Sequence, residues 1–270
     1  MWKAVKYILT YFGFEVLVAL IIMVPASFLD ADTPEMIVLT LAVSNLLFCW
    51  YITRKGRIHL GKESFTIRPW SILLLSVVAL FFFILPELEL VERLDLPDDI
   101  GDDLYEVGGT LLGLVSIGII GPIGEELLFR GVVLGSLLEW KPLRPMPWLA
   151  VLLSAAIFSL IHLNPAQMPG AFMMGLLFSW IVYRTGSLLP GIIGHIFNNS
   201  LSCIMIMLSD EESADETVAE MFNSPVLEFL AVAGSFFLCV VAVRALVRKV
   251  NENYPPGKFN SVPEDIACQE

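Results

Sequence analysis

Residues 121–131 read GPIGEELLFRG and lie inside an apolar run from Gly109 to about Glu139. Two adjacent carboxylates, Glu125 and Glu126, and one guanidinium, Arg130, therefore sit where nearly every neighbour is hydrocarbon. Left unpaired at mid-bilayer, the three would cost on the order of 8–10 kcal/mol. The spacing offsets part of this. Glu126 and Arg130 are i, i+4 with the acid first, the favourable order for a helical ion pair. Both acids also follow a Gly-Pro break, where the start of a helix favours negative charge. Glu125 has no evident partner, which makes it the candidate for chemistry. His162 closes FSLIHL and His195 opens HIFNN, again inside apolar segments. His195 and Asn199 are i, i+4 and share a helical face with Asn198 nearby, and Phe158 and His162 have the same spacing. A polar patch on each of three segments is cheapest to bury in one shared interior. A carboxylate, two imidazoles and an amide at helical spacing on three segments favour a functional site over lone packing residues. A buried polar lock without chemistry is the alternative for the same residues.

The elements that must position this set are membrane helices. Of 270 residues, 56% are hydrophobic and 16% charged, with mean hydropathy +0.75. A soluble domain keeps roughly a quarter of its residues charged. The expectation is an all-α, polytopic transmembrane bundle without a soluble module. Apolar runs fall at about 5–29, 36–52, 70–86, 109–139, 148–163, 170–183, 188–208 and 226–247, about eight membrane segments. If every run crosses, 14 of the 16 Lys and Arg fall on one side, the exceptions being Arg93 and Arg130. The positive-inside rule then puts both termini in the cytoplasm. The net charge of −12 is concentrated in three acidic connections on the other side, so it reports topology. No basic patch with interleaved aromatics exists, and no nucleic-acid partner is expected.

Two features depart from simple crossings. Residues 148–163 and 170–183 are shorter than the roughly 20 residues a crossing needs; they are read as tilted crossings or as a re-entrant hairpin over 148–183. Residues 109–139 would form a helix of roughly 46 Å, longer than the hydrocarbon core, and GPIG at 121–124 predicts a broken helix there. Four parts follow: N-terminal helices and loops (1–108), a core (109–208), an acidic loop with the last helix (209–250), and a polar tail (251–270). Residues 1–27 are too long and apolar for a signal peptide and contain Glu15. Cys49, Cys203, Cys239 and Cys268 fit no disulfide framework or metal pattern, and Cys268 is followed by too few residues for prenylation. Glu15 and Asn45 are further intramembrane polar residues, read as interior hydrogen-bonding groups. His59 lies in a basic loop and is read as solvated.

EELLFRG, FSLIH and HIFNN together resemble, in order, the EExxxR, FxxxH and HxxxN motifs of the CPBP family of intramembrane proteases. That family includes type II CAAX prenyl endopeptidases and bacterial proteins linked to bacteriocin processing or self-immunity. The resemblance covers residues 110–208. It implies that Glu125 is the general base, polarising water with His162, and that His195 and Asn199 donate to the oxyanion. It gives Glu126, Arg130, Phe158 and Asn198 supporting places. No cofactor is then required. Zinc held by Glu125, His162 and His195 is the nearest alternative, although no HExxH is present. No GxSxG elbow recommends Ser154, Ser159 or Ser200. A non-catalytic scaffold or self-immunity protein and a small transporter are readings from other classes. The resemblance implies a membrane-embedded or lipidated peptide as substrate, the lipid bilayer as surroundings, and a bacterial cytoplasmic membrane as location.

Overall fold

The computed structural model describes residues 2–28, 33–54, 62–98, 106–209 and 217–254. His59, Lys258, Cys268, most of the acidic loops and the tail from 255 lie outside the described residues. Every regular element among the described residues is helical. In chain order they are α1 (Trp2–Phe28), α2 (Pro34–Arg54), α3 (Ser71–Arg93), α4 (Leu111–Glu139), α5 (Pro147–Leu160), α6 (Met168–Thr185), α7 (Leu189–Leu208), α8 (Val218–Phe222) and α9 (Pro225–Asn253). All eight apolar runs become helices. Six of them, α1–α4, α7 and α9, are long and apolar enough to cross a bilayer. Their exteriors stay apolar: Leu17, Leu20 and Ile21 on α1 and Phe229, Phe236 and Phe237 on α9 are exposed, a surface that only hydrocarbon can cover. The all-α polytopic bundle expected from the sequence is the fold observed.

The two short segments, α5 and α6, pair as an antiparallel hairpin. Gly175 lets the helices approach, because a Cβ there would lie 3.1 Å from Ala155 Cα. Ser159 Oγ donates to the Met168 carbonyl at 2.8 Å across the tip. The tip is closed over by the segment after α3: Ala166 N–H donates to the Pro97 carbonyl at 3.1 Å, and Asn164 Nδ2 donates to Asp98 at 2.7 Å. Irregular backbone is tolerated at such a place because protein satisfies its polar groups.

In α4 the disruption expected at GPIG takes a different form from a stop and restart. Backbone angles stay helical through Ile120 (φ −70°, ψ −46°) and Gly121 (φ −53°, ψ −58°). Wide π-helical turns at Leu114–Ile120 and Leu127–Leu134 flank an α-helical turn at Gly121–Glu126. The cause of the first is Pro122, which has no N–H and whose ring would strike the carbonyl four residues back. Gly121 N–H instead reaches five residues back to Ser116 O, the bond of a π-bulge. This frees the carbonyls of Ile117 and Gly118. Helix α7, antiparallel to α4, supplies their donors: Asn199 Nδ2 to Ile117 O at 3.3 Å and Ser200 Oγ to Gly118 O at 3.2 Å.

Close approach of α7 needs a small residue at Gly118, where a Cβ would fall 2.9 Å from Ser200 Oγ and 3.3 Å from Ser200 Cα. Gly118→Ala is expected to cost about 1–3 kcal/mol by overpacking, read as a lower unfolding midpoint in mixed micelles. Gly13→Ala, with nothing within 4 Å of the added carbon, is the control and leaves the midpoint in place. Equal midpoints for the two variants would refute the close α4–α7 contact.

Candidate active site

The central pair is formed as its spacing predicts. Glu126 Oε1 lies 2.7 Å from Arg130 Nη1, with both side chains fully buried. None of the guanidinium nitrogens is aligned for a hydrogen bond with the described residues. The contact is therefore an ion pair, supplemented by the Phe158 ring 4.1 Å from Arg130 Cζ, a desolvated cation–π contact. The wide turn at Leu127–Leu134 carries Arg130, whose Cζ also lies 5.8 Å from the Phe178 ring.

His195 enters from α7 and joins the same carboxylate, with Nδ1 3.1 Å from Glu126 Oε1. Its other nitrogen, Nε2, faces Glu125 Oε2 at 3.9 Å. One imidazole thus stands between the two acids of the EE pair. Gly191, one turn earlier on α7, makes the fit possible. A Cβ at that position would lie 2.5 Å from Glu126 Oε2. Glu125 differs from Glu126 in access: its side chain is 21% exposed while Glu126 and His195 are sealed. Glu125 is therefore the least enclosed of the three, while its Oε2, the oxygen that faces His195, is itself buried.

His162 lies in the turn just past α5 and is half-buried. Its Nδ1 is 2.8 Å from the Phe158 carbonyl. A carbonyl only accepts, so Nδ1 carries the proton, and a neutral ring would keep its lone pair on Nε2. The Phe158 ring ties the set together, packing edge-on against His162 at 5.0 Å and His195 at 5.7 Å. The phenylalanine of FxxxH is thus a common wall for both imidazoles and Arg130.

Glu125, Glu126, Arg130, Phe158, His162 and His195 form one cluster. Asn199 and Asn198 lie one turn further along α7. There Asn198 Nδ2 donates to Asn199 Oδ1 at 3.3 Å, and Asn199 in turn serves Ile117 O. One amide hydrogen of Asn199 is thereby committed to the backbone freed by Pro122. Among the described residues no group of three or more His, Cys, Asp or Glu is arranged to hold a metal ion. Cys49, Cys203 and Cys239 are free thiols.

Two residues at the site come from helices before the core. Asn45 on α2 packs its Oδ1 against the α carbon side of Gly124, where no Cβ could stand, and Tyr11 on α1 donates to that Oδ1 at 3.2 Å. Asn45 is legible in the sequence as a polar residue in an apolar run. Tyr11 carries no such signal, because aromatic residues are equally at home facing lipid.

Residues 107–201 match the family model of Rce1-like type II CAAX prenyl endopeptidases. Over 94 residues the chain is 30% identical to "Putative membrane peptidase YdiL" of Bacillus subtilis (strain 168), covering 35% of this chain and 37% of that protein. The chain thus spans little more than a third of the curated relative it matches. No solved structure matches significantly. The matched segment contains all three motifs, so these likenesses fall on the same residues as the resemblance to the CPBP family.

Removing one partner of a sealed ion pair leaves a buried charge uncompensated, at a cost of about 3–5 kcal/mol. Arg130→Met is expected to lower the unfolding midpoint by that equivalent, and Glu126→Gln with Arg130→Met together to lower it by less. A double variant at least as unstable as Arg130→Met alone would show that the pair's charge is not what matters.

Proposed function

We propose that this protein is an intramembrane endopeptidase that hydrolyses a peptide bond of a membrane-embedded or lipidated substrate with water activated by Glu125. The observation that supports it best is the placement of His195, held by Glu126 through Nδ1 and presenting Nε2 to the partly exposed Glu125 at 3.9 Å. A base and a donor thus stand side by side at the edge of an enclosed cluster, where both can reach one substrate carbonyl. The family match adds the reaction class.

In this reading Glu125 takes a proton from water while the bare Nε2 of His162 accepts a hydrogen bond from the O–H that stays on the attacking oxygen. The oxygen attacks the scissile carbonyl carbon and a C–O bond forms. In the imidazolium form His195 donates from both nitrogens, Nδ1 to Glu126 and Nε2 to the new oxyanion. The uncommitted amide hydrogen of Asn199 is the second donor. As the tetrahedral carbon collapses the C–N bond breaks, and the proton on Glu125 passes to the leaving amine. Glu126, Arg130 and Phe158 hold the geometry and Asn198 holds Asn199. Fixed donors are worth most in such a water-poor site. The proposed scheme uses no metal and no covalent nucleophile. We place both termini in the cytoplasm on the distribution of Lys and Arg, and the protein in a bacterial cytoplasmic membrane on its likeness to the Bacillus subtilis protein. CAAX-type processing is one substrate class within this proposal, and a peptide leader is another.

Glu125→Gln keeps shape and removes the base, so product formation is expected to fall by about 10²–10⁴-fold with unfolding unchanged. Comparing membrane peptidomes of cells carrying the native chain and Glu125→Gln reads this and identifies the substrate. Identical peptidomes would favour a scaffold or immunity protein. Stoichiometric zinc in purified protein, with activity lost on stripping and restored on reloading, would replace the metal-free scheme.

A further inference from the structure

We infer that Tyr11 and Asn45, on helices that precede the family-matched segment, are positioning residues for Glu125, acting through the backbone of Gly124; this rests on the reading of Glu125 as the base. Asn45 is fixed at both ends of its amide. Its Nδ2 donates to Leu41 O at 3.0 Å, and its Oδ1 receives the Tyr11 hydroxyl at 3.2 Å. The amide cannot rotate without losing both bonds in an apolar interior, where each is costly to leave unmade. So held, Oδ1 rests against Gly124, the residue immediately before Glu125, so closely that any Cβ there would fall on it.

Tyr11 is itself immobilised. It is 5% exposed, and its ring packs edge-on against the sealed Phe48 at 5.1 Å. Tyr11 and Asn45 thus form a polar bridge from α1 through α2 to the turn that carries Glu125.

The need for an outside clamp follows from α4. Wide turns on both sides of Gly121–Glu126 and two glycines within it weaken the helix's own hold on Glu125. The geometry that matters is the 3.9 Å gap between Glu125 and His195. A displacement of about 1 Å at such a gap can cost on the order of 10²-fold in rate. Because Tyr11 and Asn45 lie on α1 and α2, the matched core would not set its own active site without them.

Tyr11→Phe tests this, since it retains the ring and its packing and removes only the hydroxyl. Two readouts are taken on purified full-length protein. The first is the carboxyl band of Glu125 in pH-jump infrared difference spectra, assigned as the band that Glu125→Gln removes. The second is kcat and KM on the peptide identified from the peptidome comparison. Tyr11→Phe is expected to shift the band and to lower kcat about 10-fold with little change in KM, whereas Tyr183→Phe, on α6, leaves both in place. An unshifted band overturns the inference whatever the rates, and a shifted band with unchanged kcat overturns it as well. Failure of the protease reading looks different: the peptidome is then unaffected by Glu125→Gln, while the band still reports whether Tyr11 positions that carboxylate.

Discussion

A sealed ion pair in an apolar bundle organises this protein. Glu126 and Arg130 lie on one helix, fully buried, where each charge alone would be several kcal/mol out of place. Once formed, the pair dictates what surrounds it. Phe158 must cover the guanidinium face, Gly191 must leave room for Glu126 Oε2, and His195 must use the carboxylate oxygen that Arg130 also contacts. These demands fall on α5 and α7, so the pair draws three helices to one point. A salt bridge that is weak as a source of stability is thereby strong as a source of register.

The second organising element is Pro122. By denying a hydrogen bond it widens α4 and leaves two carbonyls without helical partners. Asn199 and Ser200 answer them from α7. The HxxxN motif therefore carries two duties on one helical face: its histidine serves the carboxylates and its asparagine serves the backbone that the proline released. Asn199 retains one amide hydrogen beyond this duty. A residue that both closes the helix contact and could stabilise an oxyanion links fold and chemistry. This coupling is a physical reason for GPIG to stand directly before EExxxR.

The site is also asymmetric in water access. Glu126, Arg130 and His195 are enclosed, while Glu125 is partly open. Two chemically identical, adjacent side chains therefore differ by environment alone, one a sealed counter-charge to Arg130 and the other partly exposed. The hairpin α5–α6, with its tip covered by the segment after α3, brings His162 and Phe158 to the enclosed side without exposing irregular backbone to lipid.

Local chemistry made much of this legible before any coordinates. Apolar run lengths determined the helices, because a bilayer leaves the backbone no other way to satisfy itself. The i, i+4 spacing determined the Glu126–Arg130 pair, and the cost of intramembrane charge singled out Glu125, His162 and His195. Tertiary structure alone decided the rest. That His195 binds both acids depends on the approach of α7 to α4, which Gly118 and Gly191 permit but do not announce. That Pro122 widens the helix rather than breaking it depends on donors 77 and 78 positions away at Asn199 and Ser200. That Tyr11 belongs to the site could not be read from an aromatic residue in an apolar run, since lipid and protein interior select it equally. Spacing along a chain records interactions within one helix; contacts between helices depend on distances that no spacing encodes.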